Sequence, residues 1–378
     1  MAFDLYCIEC GDRYDNSIYR LFCSSCQGLL DVEYETPKNR DARVLLNKMG
    51  FARFLPMLPI RDHANLVTMC EGDTPIAPLS KVGRAVGVEG LFGKMEYFNP
   101  TGSFKDRGNA ILVSVLKDTG VTEVAEGTGG NGGNSFAAYC ARGGIRFHAF
   151  MNEANVDYQK SRAIAFHGSQ VHWIKGSKQD VYEAARKFSE DSGVLHLRYG
   201  ESAYFNEGHK TIAYEIPGQM DPMPDHVVIP TGNGSILMGM YKGFKEMLED
   251  GRIDKIPTLH AVQPEETPPL VAAFEGRAWA AYPQEPKSIA NGISVKNPPR
   301  PQVVAAACKA TGGSAQAVSE ELLQWAHRQL AEMEGILVEP ASAAALAGVK
   351  KLRDLGLISQ GETALIPLTG FGLKEPLP

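Results

Sequence analysis

At 378 residues with 44% hydrophobic content, the chain exceeds the roughly 250–300 residues that a single core fills, so two sizeable lobes are expected. A formal charge of −6 with scattered Lys and Arg excludes the basic surplus of a polyanion binder, and neither nucleic acid nor a membrane surface is expected as a partner. The Met1-Ala2-Phe3-Asp4 start has no cationic segment followed by an apolar run, and no stretch approaches the ~18 apolar residues of a membrane helix, which leads to an expected cytoplasmic location.

In chain order, the first feature is Cys7-Ile-Glu-Cys10 and Cys23-Ser-Ser-Cys26, separated by twelve residues. Two such knuckles bring four thiolates to one point, as tetrahedral zinc requires, and iron is the other candidate. The bland reading leaves the thiols free. A segment of 1–35 is too short to build a core, so the metal is expected to supply its folding energy, in a structural role because four protein ligands leave no open position. Thiols of this kind fit a reducing compartment.

From residue 66 onward, short apolar runs alternate with longer helical stretches. Strands are predicted at 145–150, 171–174, 226–230, 259–262 and 363–368. Ser177-Lys-Gln-Asp180 reads as a capping box that starts a helix carrying Val181, Ala184, Ala185 and Phe188 on one face. A second helix is predicted over 322–333, ending at Gly335. Such alternation predicts an α/β fold with mostly parallel sheets covered by helices. The stretch 264–301 is richer in Pro and Ala and reads as a surface excursion or an active-site cover.

Four constellations carry chemistry. Asn99-Pro-Thr-Gly-Ser-Phe-Lys105 puts a lysine at a helix start, where the positive helix end disfavours its charged form and suits an imine-forming nucleophile. Alone, Lys105 would read as an exposed first-turn lysine. Thr128-Gly129-Gly130-Asn131-Gly132-Gly133-Asn134-Ser135 follows a strand and opens a helix, a site for a carboxylate or phosphate. Thr231-Gly232-Asn233-Gly234-Ser235 follows the strand at 226–230 and forms a phosphate cradle with no Walker lysine, which fits a fixed cofactor phosphate better than a nucleotide. Thr369, in Leu368-Thr-Gly-Phe-Gly, delivers a hydroxyl at the end of a late strand.

The run Asn-Pro-Thr-Gly-Ser-Phe-Lys105-Asp-Arg resembles the cofactor-lysine motif of the fold type II pyridoxal phosphate enzymes (tryptophan synthase β-like), and in that full form it is similar to threonine synthases. The likeness takes in Glu71-Gly-Asp-Thr-Pro75, Glu207-Gly-His-Lys-Thr211 and Glu339-Pro-Ala-Ser-Ala343. It implies that Lys105 holds pyridoxal 5′-phosphate as a Schiff base and serves as the proton-transferring amine. It also implies that Asn131 bonds the cofactor's phenolic oxygen, that the cradle from Thr231 and Gly232 through Asn233 and Gly234 to Ser235 holds its phosphate, and that Thr369 meets its ring nitrogen. Thr128, Gly129, Asn131 and Gly132 would grip the substrate carboxylate. A homodimer is implied by the likeness only.

The match departs where threonine synthases carry an Asn and an Arg that hold the substrate phosphate: here Ser202 and Phe205 stand, with His209 in place of a Gln. Replacing Arg by Phe removes a bidentate clamp, leaving Lys160, Arg162 and Lys210 as candidate phosphate ligands. The stretches at 53–59, 223–227 and 249–252 are similar to cysteate synthases, which use phosphoserine and sulfite. The reading is therefore elimination and replacement at the side chain of a small amino-acid substrate. O-phosphohomoserine to threonine is the leading case, with cysteate synthesis, β-eliminating deamination and a partner-binding scaffold as alternatives. The expected architecture is a ribbon at 1–35, a small lobe at 91–192 carrying Lys105, and a large lobe from 36–90 and 193–378.

Overall fold

The computed structural model describes residues 3–35, 44–45, 47–156, 158–281 and 286–375. The strands in chain order are β1 (Phe3–Cys7), β2 (Arg13–Tyr14), β3 (Leu30–Tyr34), β4 (Ile76–Pro78), β5 (Gly90–Lys94), β6 (Glu123–Gly127) and β7 (Arg146–Asn152). They continue with β8 (Gln170–Ile174), β9 (Leu195–His196), β10 (His226–Pro230), β11 (Thr258–Pro264), β12 (Ala315–Val318) and β13 (Thr363–Pro367). The helices are α1 (Ser80–Val86), α2 (Lys105–Asp118), α3 (Asn131–Gly143), α4 (Gln159–Phe166), α5 (Lys178–Ser192) and α6 (Ala203–Glu215). After them come α7 (Ser235–Glu249), α8 (Pro269–Phe274), α9 (Pro301–Ala310), α10 (Glu320–Glu334) and α11 (Pro340–Asp354).

The α/β architecture expected from the sequence is the one observed, in two compact units: Met1–Gly72 with Lys105–Gly208, and Asp73–Phe104 with His209–Pro378. The first unit holds a four-stranded parallel sheet in the order β8-β7-β6-β9, against which α3 and α5 pack. Ser177 and Asp180 form the predicted capping box at the start of α5. The second unit holds a six-stranded sheet, β12-β11-β10-β13-β5-β4, parallel except for β4. α10 ends at Gly335 in the left-handed region, where a residue without a Cβ is unstrained.

The unit boundaries follow strand pairing. β5 pairs with β13 along its whole length, so 91–104 belong with the second unit, whereas the sequence reading placed them in a lobe at 91–192. The segment 193–208 joins the first unit, where β9 pairs with β6.

The N-terminal ribbon also differs from expectation. Its three-stranded sheet, β2-β1-β3, includes Cys7 at the end of β1, but Phe3, Leu5, Leu30 and Val32 are buried in the same apolar core as Phe51, Leu55 and Tyr204. The ribbon therefore gains folding energy from burial, at roughly 1.5–3 kcal/mol for each large apolar side chain, and not from the knuckles alone. The expected boundary between 35 and 36 falls at the edge of the described residues.

Of the stretch 264–301, residues 282–285 lie outside the described residues; the remainder includes α8 and only short turns before α9. No described helix is long and apolar enough to cross a membrane.

Candidate active site

Lys105 is the first residue of α2. The turn that precedes it is tied down within the second unit. The Asn99 amide donates to the Glu96 carbonyl at 2.6 Å and to its carboxylate at 3.0 Å, and the Thr74 hydroxyl donates to the other Glu96 oxygen at 2.7 Å. Phe104 N donates to Thr369 O at 3.0 Å, which links the residue before the lysine to the late strand end carrying the candidate hydroxyl.

Within the first unit, Lys105 Nζ stands 5.5 Å from the centre of the Phe205 ring, a cation–π distance. Phe205 is fully buried, and its ring lies 5.2 Å from that of Tyr199. Tyr199 in turn covers the glycine loop: a Cβ at Gly132 would overlap its hydroxyl. Sequence reasoning missed Tyr199. The paired glycines signalled a close neighbour, but nothing in the sequence said which residue it was.

The glycine stretch opens a helix, as the sequence indicates. α3 starts at Asn131, so Asn131, Gly132 and Gly133 form the first helical turn, and only 128–130 is loop. Asn109 Nδ2 donates to Gly132 O at 3.2 Å and fixes this turn against α2. First-turn amides have no intrahelical acceptor, so this end suits an anion. Asn134 Oδ1 and Ser135 Oγ are buried with no hydrogen-bond partner among the described residues, which adds polar capacity to the same turn. Thr128 and Gly129 are half-buried at its entrance.

In the second unit, Thr231 follows β10 and is held by its own hydroxyl bond to Ile229 O at 2.7 Å and by Gln263 Nε2 donating to its carbonyl at 3.1 Å. Gly234 has φ of +88°, and a Cβ there would overlap Val304 Cγ2. Ser235 then opens α7. Asn233 is half-buried between two buried glycines. Thr369 is buried, with its hydroxyl 2.8 Å from that of Ser342, which also accepts from Gly370 N at 2.9 Å. Ser342, in the 339–343 motif, is a second hydroxyl at this position that the sequence reading did not single out. The glycine cradle at a helix N-terminus and the paired buried hydroxyls fit the phosphate and ring nitrogen of pyridoxal phosphate.

The candidate phosphate ligands are distributed differently. Ser202 is buried just before α6, with its amide bonded to Tyr199 O at 3.1 Å. Lys160 is half-buried on α4 and Arg162 is exposed. Lys210 is corrected as a candidate: it is fully buried, with Nζ 3.2 Å from the Glu246 carboxylate in an ion pair. Its charge is thereby committed.

The Sγ atoms of Cys7, Cys10, Cys23 and Cys26 all lie within 4.8 Å of one another. Three of the separations are 3.5, 3.6 and 3.5 Å. Four thiolates about 2.3 Å from a tetrahedral zinc would stand ~3.8 Å apart, so the cluster is nearly closed around a point. The Tyr14 hydroxyl, 3.0 Å from Cys23 Sγ, pulls that thiol down to about 6. Amides of Glu9 and Gly28 donate to Cys7 and Cys26 at 3.4 Å, which orients the sulfurs and stabilises them as thiolates.

The sequence matches the pyridoxal-phosphate dependent enzyme family over residues 67–370. It is 36% identical to a threonine synthase of Methanocaldococcus jannaschii, over 98% of this chain and 92% of that one. To a threonine synthase of Methanosarcina acetivorans it is 35% identical, over 99% and 93%. Among solved structures, a processed threonine deaminase isoform 2 from Solanum lycopersicum superposes with a TM-score of 0.70 at 19% identity, covering 84% of this chain and 87% of that one, and shares its fold.

Proposed function

This chain belongs to the pyridoxal-phosphate dependent enzyme family, as a fold type II lyase of threonine synthase type, and on that premise we propose that it eliminates and replaces a group on the side chain of an O-phospho amino acid such as O-phosphohomoserine. The observation that carries the reading is that three motif residues each open a helix: Lys105 opens α2, Asn131 opens α3 and Ser235 opens α7. Helix starts favour anions, and both the substrate carboxylate and the cofactor phosphate are anionic.

Bound pyridoxal phosphate supplies an aldehyde that joins Lys105 and a ring that accepts electrons from the substrate's α-carbon. The 231–235 amides hold its phosphate. Asn131 bonds its phenolic oxygen, and Thr369, backed by Ser342, presents a hydroxyl to its ring nitrogen. A hydroxyl there does not keep that nitrogen protonated, a setting suited to expelling a side-chain leaving group. Thr128, Gly129, Asn131 and Gly132 bind the substrate carboxylate, and the Lys105 amine takes the α-proton. Tyr199 and Phe205 shield that amine from water, and Lys160 and Ser202 face the side chain to be exchanged.

A second reading, β-elimination of an unphosphorylated amino acid, is favoured by Phe205, whose buried ring replaces a phosphate clamp. Incubation with phosphoserine, phosphohomoserine, serine and threonine separates the two. Phosphate released without keto acid supports replacement; keto acid from serine or threonine overturns it. Sulfite consumed with phosphoserine marks the cysteate synthase alternative.

The four cysteines are read as a structural zinc site and the chain as a cytoplasmic homodimer. One zinc per chain, lost in Cys10→Ser together with Cys26→Ser, is the expected metal analysis.

A further inference from the structure

Within the first unit, the ribbon makes several of its aromatic contacts to the start of α6. Tyr34, the last residue of β3, donates its hydroxyl to the Glu207 carboxylate. Phe3, the first residue of β1, packs edge-on to Tyr204 with ring centres 6.5 Å apart, and Tyr19 lies on the same ring at 6.0 Å. Three aromatic side chains of the ribbon thus contact residues 204 and 207. On a helix, 204 and 207 share a face and 205 is turned about 100° away from 204. That turn brings Phe205 to Tyr199 and Lys105.

We propose that the four-cysteine ribbon is a positioning element for the substrate side: through Phe3, Tyr19 and Tyr34 it clamps the start of α6, so that the placement of Ser202 and Phe205 depends on the ribbon remaining closed. This rests on the reading of Ser202 and Phe205 as substrate-side residues. The clamp works because its two ends differ in kind. The ribbon's own closure is set by Cys7 and Cys23, buried in the same core as Tyr204 and Phe205, with Cys10 and Cys26 completing the cluster from the exposed side. Opening the cluster frees the strand pairing of β1 with β3, and with it both Phe3 and Tyr34, which face each other across that pairing. A ribbon that served only to dock a partner would have no need to bury Phe3, Leu5, Leu30 and Val32 against this segment.

The test uses the full-length holoenzyme, the conservative variant Tyr34→Phe, and wild-type protein whose four-cysteine cluster has been opened by a thiol-reactive mercurial. Amide hydrogen exchange is read peptide by peptide. Both perturbations are expected to speed exchange over 202–210 by about tenfold, Tyr34→Phe through loss of a hydrogen bond to a buried carboxylate, while 131–143 is unchanged. In turnover with whichever amino acid the enzyme accepts, KM is expected to rise several-fold through Ser202 and Phe205, while the affinity for the cofactor itself is unchanged because the cradle at 231–235 is untouched. Unchanged exchange over 202–210, or acceleration spread equally over 131–143, overturns the proposal. A wild-type protein without a cofactor absorption band refutes the functional reading instead, and the exchange result still decides the clamp.

Discussion

Gly234→Ala probes the cradle at its tightest point. With φ at +88°, an alanine there pays about 1–2 kcal/mol for the left-handed conformation. Its Cβ also overlaps Val304 Cγ2, and overpacking of this kind adds ~1–3 kcal/mol. The apo-protein is therefore expected to lose roughly 2–5 kcal/mol in urea unfolding. The two parts are separable, because Val304→Ala removes the overlapping methyl and leaves φ alone. In the Gly234→Ala background, Val304→Ala should return ~1–2 kcal/mol, whereas in the wild-type background it should cost about that much through the cavity it leaves. Because the α7 amides move with Gly234, cofactor binding followed by its absorption band should weaken by about tenfold or more, a separate readout from stability. If Gly234→Ala unfolds at the wild-type urea midpoint, binds the cofactor equally well and shows no coupling to Val304→Ala, the described packing of the cradle is wrong.

Two further outcomes follow from buried groups. Burial lifts Glu71 from its ordinary 4.5 to about 7, against the pull of hydrogen bonds from Tyr139 at 2.6 Å and Met69 N at 2.8 Å. The folded state then holds this proton where the unfolded state has lost it, so stability falls as pH rises from about 4.5 to 7, by roughly 3 kcal/mol in all. Glu71→Gln should flatten that loss between pH 5 and pH 8 in urea unfolding; an unaltered pH profile contradicts the assignment. Ser342→Ala removes the acceptor of Gly370 N and the partner of Thr369, so it should cost ~1–3 kcal/mol and shift the cofactor absorption band, whereas Ser359→Ala, on an exposed turn, should do neither.

What the sequence made legible was local. The Ser177–Asp180 capping box, the apolar strands at β10 and β11, and the lysine and glycine motifs each lie within a few residues, so their chemistry is written in one short window. The first residue of α3 was not legible, because Gly132 and Gly133 are poor helix formers; Asn109 bonds to this turn and Tyr199 packs on it. The ribbon's burial could not be read either, since Phe3 and Tyr34 find their partners at Tyr204 and Glu207, far along the chain. Lys210 looked available for the same reason: its partner Glu246 lies 36 residues away on another helix.

Lys105 is the residue proposed to carry the cofactor, and chemical trapping tests it directly. Borohydride treatment of the yellow holoenzyme, proteolysis and mass spectrometry should find one phosphopyridoxyl group per chain, on the peptide containing Lys105, and none in Lys105→Ala. An adduct on any other lysine, or a Lys105→Ala protein that is equally labelled and equally active, would contradict it.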